Sequence, residues 1–293
     1  MTSLLRLYFF IFLALLAFAA NSVLCRLALA GELIDPASFT MWRLLSGAAT
    51  LALLCFLQSV KSNNTAPKRI WSEGSWLSAL ALFIYALGFS YAYVTLETGV
   101  GALILFGAVQ LTLILFAVWA GQRLAWLEWI GLLMAFCGFV YLVLPTLSSP
   151  SLLGFILMTL AGVAWGLYTW RGKISVKPLF ATTSNFVRTI PMLLITLIII
   201  DLNAEPSQIA QTEGIIFAVT SGAIMSGLGY AIWYAVLPYL SASMAAVLQL
   251  LVPIIATIGG VFFANEAVTL HLIIATCGVL GGVSLVILGR QKV

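Results

Sequence analysis

Residues Tyr91 to Gln110, YAYVTLETGVGALILFGAVQ, and residues Tyr230 to Gln249, YAIWYAVLPYLSASMAAVLQ, align without a gap at a shift of 139 positions, with Tyr, Ala and Gln in matching places. Each copy reads as the end of one apolar helix, a tight connection rich in small residues, and the start of another. Each also puts an uncharged hydrogen-bonding side chain, Gln110 or Gln249, inside a stretch otherwise suited to hydrocarbon. A chain that uses one helix–turn–helix piece twice is built as two halves. The rest of the sequence shows how the halves are related.

Of 293 residues, 63% are hydrophobic and 8% charged, against about 45–50% and about 25% in soluble domains. So few charged side chains cannot cover a water-facing surface of this size. The composition dictates an all-α, polytopic membrane protein, in which each span needs about 20 apolar residues. The net charge of +4 gives no reason to invoke nucleic acid. Cys25, Cys55, Cys137 and Cys277 all fall within apolar segments. A disulfide framework would place them in extracellular loops, so they read as small, reduced core residues.

Ten spans follow from the hydropathy pattern: 5–29, 37–58, 73–95, 99–120, 125–144, 151–170, 179–200, 213–235, 241–263 and 268–288. Ala17-Phe18-Ala19 resembles a signal-peptide cleavage site, but apolar character continues through Val23 and Leu24 to Leu29, so the first span reads as retained. With the N-terminus inside, Arg6, Lys61, Lys68, Arg69, Arg123, Arg171, Lys173, Lys177, Arg290 and Lys292 share the cytoplasmic side, as the positive-inside rule requires. Glu32, Asp35, Glu97, Asp201, Glu205, Glu213 and Glu266 fall on the other side. Adding or removing one span would scramble that partition. Both termini are therefore expected in the cytoplasm, with the bacterial inner membrane as the location.

The midpoint of the ten spans falls at Pro145–Pro150, which divides the chain into five-helix halves over 1–147 and 150–293. An odd number of spans per half turns the second upside down relative to the first, the inverted repeat that many transporters share. Further landmarks agree: Arg26 pairs with Arg171 and Arg43 with Arg188 at a shift of 145, and Gly138 with Gly281 at 143.

The second half contains Pro253, then Glu266 within FFANEAVT, then Gly278, Gly281 and Gly282 before LVIL. The first helix reads AANSVLCRLAL and its counterpart VAWGLYTWRGK. With these features the whole chain resembles an EamA-type member of the drug/metabolite transporter superfamily. The first half departs from the pattern, with Ile114 where the repeat would put the proline and Arg123 in place of the acidic residue. The resemblance implies efflux of small metabolites, amino acids or drugs by alternating access. It also implies a central cavity built mainly by spans one, three, four, six, eight and nine.

A substrate path through lipid is marked by polar side chains that are otherwise costly there. Gln110 and Gln249 either face a hydrated cavity or bond to a neighbouring helix. Asn21 breaks an apolar first span, where it contacts substrate or serves close helix packing. Trp165 and Tyr168 on span six, Tyr85 on span three, and Tyr230 and Trp233 on span eight form aromatic walls or an interfacial belt. Trp42, Trp71, Trp76, Trp126 and Trp129 lie at span ends and read as belt anchors. Arg188 and Arg43 either recognise an anion or gate the path, or snorkel to the surface, with Arg43 the shallower of the two. Pro253 is expected to bend span nine.

No Asp or Glu is expected near mid-membrane, and the lone His271 falls near the outer end of span ten. A membrane-embedded enzyme would need paired Asp, Ser with His, or a metal site at depth, which this chain does not supply; no enzyme activity, metal or cofactor is called for. The same lack of an intramembrane titratable group favours facilitated or exchange-type transport over tight proton antiport. An uncharged aromatic cavity with glutamines and a nearby arginine suits amino acids or other neutral or carboxylate-bearing metabolites. A multidrug efflux carrier of the same fold and a channel or scaffold are the alternatives. The expected partners are a small-molecule substrate and the lipid bilayer, with no nucleic acid, and ten spans make a complete monomeric carrier.

Overall fold

A chain whose segments are apolar round their whole circumference must satisfy its backbone internally, and in hydrocarbon the helix does this segment by segment. In the computed structural model, which describes residues 3–61, 73–119, 121, 125–143, 151–172, 175, 177–203, 210–240 and 248–290, ten helices follow one another. They are α1 (Ser3–Ala30), α2 (Pro36–Lys61), α3 (Trp76–Tyr93), α4 (Thr98–Trp119) and α5 (Trp126–Val143), then α6 (Ser151–Gly172), α7 (Pro178–Asn203), α8 (Thr212–Tyr239), α9 (Leu251–Ala264) and α10 (Leu270–Arg290). No strand occurs among the described residues. Eight of the helices are long and apolar enough to cross a membrane; α5 and α9 are the shorter two.

Each helix coincides with one predicted span, and the ninth differs most. It was expected over 241–263 but runs from Leu251, with 14 residues, or about 21 Å at 1.5 Å per residue. Residues 241–247, the expected start of that span, lie outside the described residues. So do the expected cytoplasmic charges Lys68, Arg69, Arg123, Lys173 and Lys292, the outer Glu205, and the belt candidate Trp71. Pro253 stands in the first turn of α9, just beyond an interruption of the helical run at Leu250. Its ring has no N–H to offer the carbonyl of Gln249, the bond that would carry one helix through.

Helix pairing has a simple order. α3 packs on α6 and α1 on α8; α4 packs on α6 and α9 on α1; α2 packs on α8 and α7 on α3. α4 meets α9, α2 meets α7, and α5 meets α10 most extensively of all. Replacing every helix by the one five places along exchanges the first six of these contacts in pairs and maps the last three onto themselves. The α5–α10 seam is close because glycines line it: a Cβ on Gly131 would come 2.5 Å from the carbonyl of Gly282, the small-residue contact that brings membrane helices together.

All four cysteines are free, but they divide. Cys25 and Cys55 are buried as expected, whereas Cys137 and Cys277 lie exposed on the outer surface of α5 and α10. Periodicity could not separate them, because lipid-facing and core-facing positions are equally apolar in this chain.

Candidate functional site

The helices that cross the middle of the molecule are short of polar residues and rich in rings, and the rings meet. Phe18 and Asn21 of α1, Tyr85 and Phe89 of α3, and Leu105 and Phe106 of α4 line a small internal cavity. Trp165 of α6 and Tyr230 of α8 complete its wall. The cavity measures about 10 Å³, room for roughly one water. Trp165 holds the centre, with ring centroids 4.7 Å from Tyr85, 5.0 Å from Tyr230 and 5.3 Å from Tyr168. Phe18 meets Tyr230 and Trp233 edge-on at 5.9 and 5.7 Å. Such spacings are those at which aromatic quadrupoles attract. Thus Asn21, Tyr85, Trp165 and Tyr230 come together on one cavity, and Tyr168 and Trp233 back it.

Gln110 and Gln249 are both buried, yet neither is among the residues lining this cavity. Gln110 lies one turn beyond Phe106 on α4. Among the described residues α9 adds nothing to the lining, so five of the six helices expected to build the cavity do so.

Residues that hydropathy could not single out position the site. Within α8 the chain takes a π-helical turn over Ser221–Leu228, SGAIMSGL, a form often found at functional sites. Its Ser221 donates to Asn21 Oδ1 across to α1. Its Ser226 Oγ accepts from Arg43 Nε at 3.3 Å. Gly222 packs directly on the backbone of α2, where a Cβ would collide with the carbonyl of Arg43. The sequence signal was the run of serines and glycines in an otherwise apolar span.

Arg43 overturns the expectation that it snorkels outward. It is 1% exposed, and its Nη2 donates to Tyr85 Oη at 2.8 Å. Neutral partners on α3 and α8 and the faces of Tyr85 and Phe89 capture the guanidinium before it can reach a membrane surface. Arg188 does reach for an end of the bundle. Its Nη1 donates to the Glu73 carbonyl at 2.9 Å, and its guanidinium lies 5.8 Å from the Trp76 ring centroid.

The two ends of the bundle differ. At one, Arg26 Nε donates to Glu266 Oε1 at 3.2 Å, and Arg26 Nη1 donates to the carbonyls of Tyr93 and Val94, both at 3.1 Å. Thr98 N donates to both oxygens of Glu266, at 3.0 and 2.9 Å. This clamp joins the C-terminal ends of α1, α3 and α9 to the N-terminus of α4, with a cation at carbonyl ends and an anion at an amide end as the helix dipoles favour. Asn265 closes α9 in the left-handed region (φ 52°), which Asn tolerates. Glu97, in the connection before α4, has its carboxyl held above the ordinary range by burial and by nearby Glu266, with Arg26 opposing.

At the other end, Arg171 Nε donates to Ser78 Oγ at 3.1 Å and Nη2 to Ser75 Oγ at 3.3 Å. Lys177 and Glu73 pair at 3.9 Å. A recess of about 320 Å³ opens here, with Gly74, Ser78, Arg171, Ala181 and Asn185 among its walls. The C-terminal end of α1 thus lies with that of α3, whereas the C-terminal end of α6 lies at the N-terminus of α3, so α1 and α6 run in opposite senses.

The chain matches the EamA-like transporter family over residues 5–144 and again over 152–288. It is 44% identical over 279 residues to an uncharacterized protein of Pseudomonas aeruginosa, covering 95% of this chain and 93% of the other. An uncharacterized transporter of Archaeoglobus fulgidus is 26% identical over 229 residues, covering 76% of this chain and 81% of that one. A solved crystal structure superposes with a TM-score of 0.64 at 18% identity over 96% of this chain and 99% of its own, a likeness of fold.

Proposed function

The chain belongs to the EamA-like transporter family, as a membrane transporter of the drug/metabolite type, and we propose that it exports small metabolites by alternating access through the aromatic cavity. The family and the transporter-named relative point to transport rather than catalysis. Amino acids and related neutral or carboxylate-bearing compounds are the proposed cargo. One observation carries this reading: helices from both halves converge on a small internal cavity, with an ion-pair clamp at one end of the bundle and a recess at the other. Among the described residues the lining contains no carboxylate, which argues against cationic drugs as the main cargo.

The halves 1–147 and 150–293 act in this reading as an inverted repeat. Support comes from the contact pattern that survives exchange of the halves, from the opposed senses of α1 and α6, and from a family match that occurs twice. The Arg171 end is the cytoplasmic one, both termini lie in the cytoplasm of a bacterial inner membrane, and one chain suffices for transport. Gln110 and Gln249 belong to the walls of the widened path rather than to the closed cavity.

The test is transport in vesicles containing the purified full chain, after a thermal-shift screen of amino acids and small metabolites. Alanine variants at Tyr85, Trp165 and Tyr230 that fold are expected to lose apparent affinity. Unchanged affinity in all three removes the cavity from the path, and unchanged affinity in Gln110→Ala and Gln249→Ala makes the glutamines structural.

A further inference from the structure

Arg43 is the largest of the side chains that the fold buries completely. An arginine stays charged in a protein interior. Its contacts are with neutral groups: Tyr85 Oη, Ser226 Oγ, and the ring faces of Phe89 and Tyr85, whose centroids lie 4.7 and 5.1 Å from Cζ. Its Nη1 is shut away from solvent with no hydrogen-bond partner. Among the described residues no Asp or Glu pairs with it; Glu266 is held by Arg26 at one end of the bundle and Glu73 by Lys177 at the other. Ring faces and hydroxyls offset part of the cost of a bare charge at this depth, but a buried charge is ordinarily neutralised by a partner of opposite sign.

Two of the groups that hold the guanidinium, Tyr85 and Phe89, are walls of the central cavity. Tyr85 accepts from Arg43 and also shares a hydrogen bond with Tyr230, so the hydroxyl that a ligand would meet belongs to a pair lining the cavity. The cavity further presents ring faces and the Asn21 amide, and no carboxylate that would match an ammonium group.

Resting on the transport reading above, we infer that Arg43 supplies the missing half of an ion pair whose other half is the cargo. The preferred cargo is a monoanionic carboxylate with a flat apolar body, ahead of zwitterionic amino acids. The carboxylate meets the charge through Arg43 and the Tyr85 hydroxyl, and the body lies among Phe18, Trp165 and Tyr230.

Phenylacetate and phenylacetamide have the same shape and differ in charge, so they separate electrostatics from fit. With the full-length protein in lipid nanodiscs, phenylacetate is expected to bind on the order of thirtyfold tighter than phenylacetamide, the scale for a desolvated charge pair. Arg43→Gln should abolish that preference by weakening the acid and not the amide, and Tyr85→Phe should reduce it in part. Equal binding of the two probes by the unmodified protein, or a preference that survives Arg43→Gln, overturns the inference. If Arg43→Gln does not fold, the probe pair on the unmodified protein and on Tyr85→Phe decides. Vesicles that carry leucine with no preference for phenylacetate overturn this inference and leave the transporter reading standing; vesicles that carry neither overturn both.

Discussion

Arg26 and Arg171 stand 145 positions apart near the ends of the first helices of the two matched segments, and they keep different company. Arg26 meets a carboxylate that also caps α4, together with two helix-terminal carbonyls. Arg171 meets two serine hydroxyls at the start of α3, beside an open recess. The scaffold offers the same joint twice, and the side chains load it unequally. One end is fastened by an ion pair within hydrogen-bond distance, the other by arginine–serine hydrogen bonds and a looser Lys177–Glu73 pair, and the empty space lies at the second joint. In the alternating-access reading proposed above, such an imbalance would give the carrier a preferred resting state.

The sharpest way to break the comparison is steric. A Cβ on Gly260 would collide with the Glu266 carboxylate and lie 3.0 Å from Thr98 Cβ. Gly260→Val is therefore expected to cost about 3 kcal/mol by overpacking, read as a lower thermal midpoint in detergent. The corresponding intrusion at the other end, Gly172→Ala, meets only the tip of Tyr234 at 3.0 Å and should cost less than about 0.5 kcal/mol. Equal losses would mean that the two ends are fastened alike.

Removing charge is milder. Glu266→Gln leaves Arg26 without its counter-ion and should cost about 2 kcal/mol, while Ser78→Ala should cost about 0.5 kcal/mol. Both values come from denaturant titration of the purified protein. The comparison can also be sharpened by supplying the missing acid: Ser78→Asp places a carboxylate by Arg171 in the first turn of α3 and should gain about 0.5 kcal/mol. It should also slow thiol labelling of an Ala181→Cys reporter in the recess; labelling at an unchanged rate would detach the joint from the opening.

The smallest effect is a pH slope. Burial raises the Glu97 carboxyl above its ordinary 4.5, so the folded state holds that proton more tightly than the unfolded chain. Its contribution to stability is then full below the ordinary value and is lost as pH rises through the raised one. Glu97→Gln should flatten stability across that window, matching the unmodified protein below it and exceeding it above, where the ionised carboxyl carries the cost; an identical pH profile would show the carboxyl to be unstrained.

The spans were legible because hydrocarbon imposes one dominant rule, and each predicted span contains one helix. The ring cluster was legible in part: Tyr85 and Tyr230 lie deeper in their spans than belt residues should, whereas Trp165 could be read as wall or belt. The place of Arg43 was not legible, because its distance from a span end measures how far it must reach, whereas its neutral partners on α3 and α8 decide where it rests. Phe18, Phe89 and Phe106 were passed over, since phenylalanine on an apolar span carries no mark of which face it occupies. Gln110 and Gln249 were conspicuous for their polarity, but polarity does not say which neighbour receives it.

The π-helical stretch of α8 sets a phase as well as a shape. Tyr230 and Trp233 follow it directly, so the direction in which they point depends on how many residues the wide turn holds. The wide turn holds about one residue more than an ordinary turn, so an ordinary helix with the same number of residues over 221–228 would swing both rings by about 100°, whereas deleting one residue would let an ordinary helix keep them near their present direction. The wall of the cavity is thus specified by counting, and the extra residue of the wide turn is matched to the direction in which Tyr230 and Trp233 point.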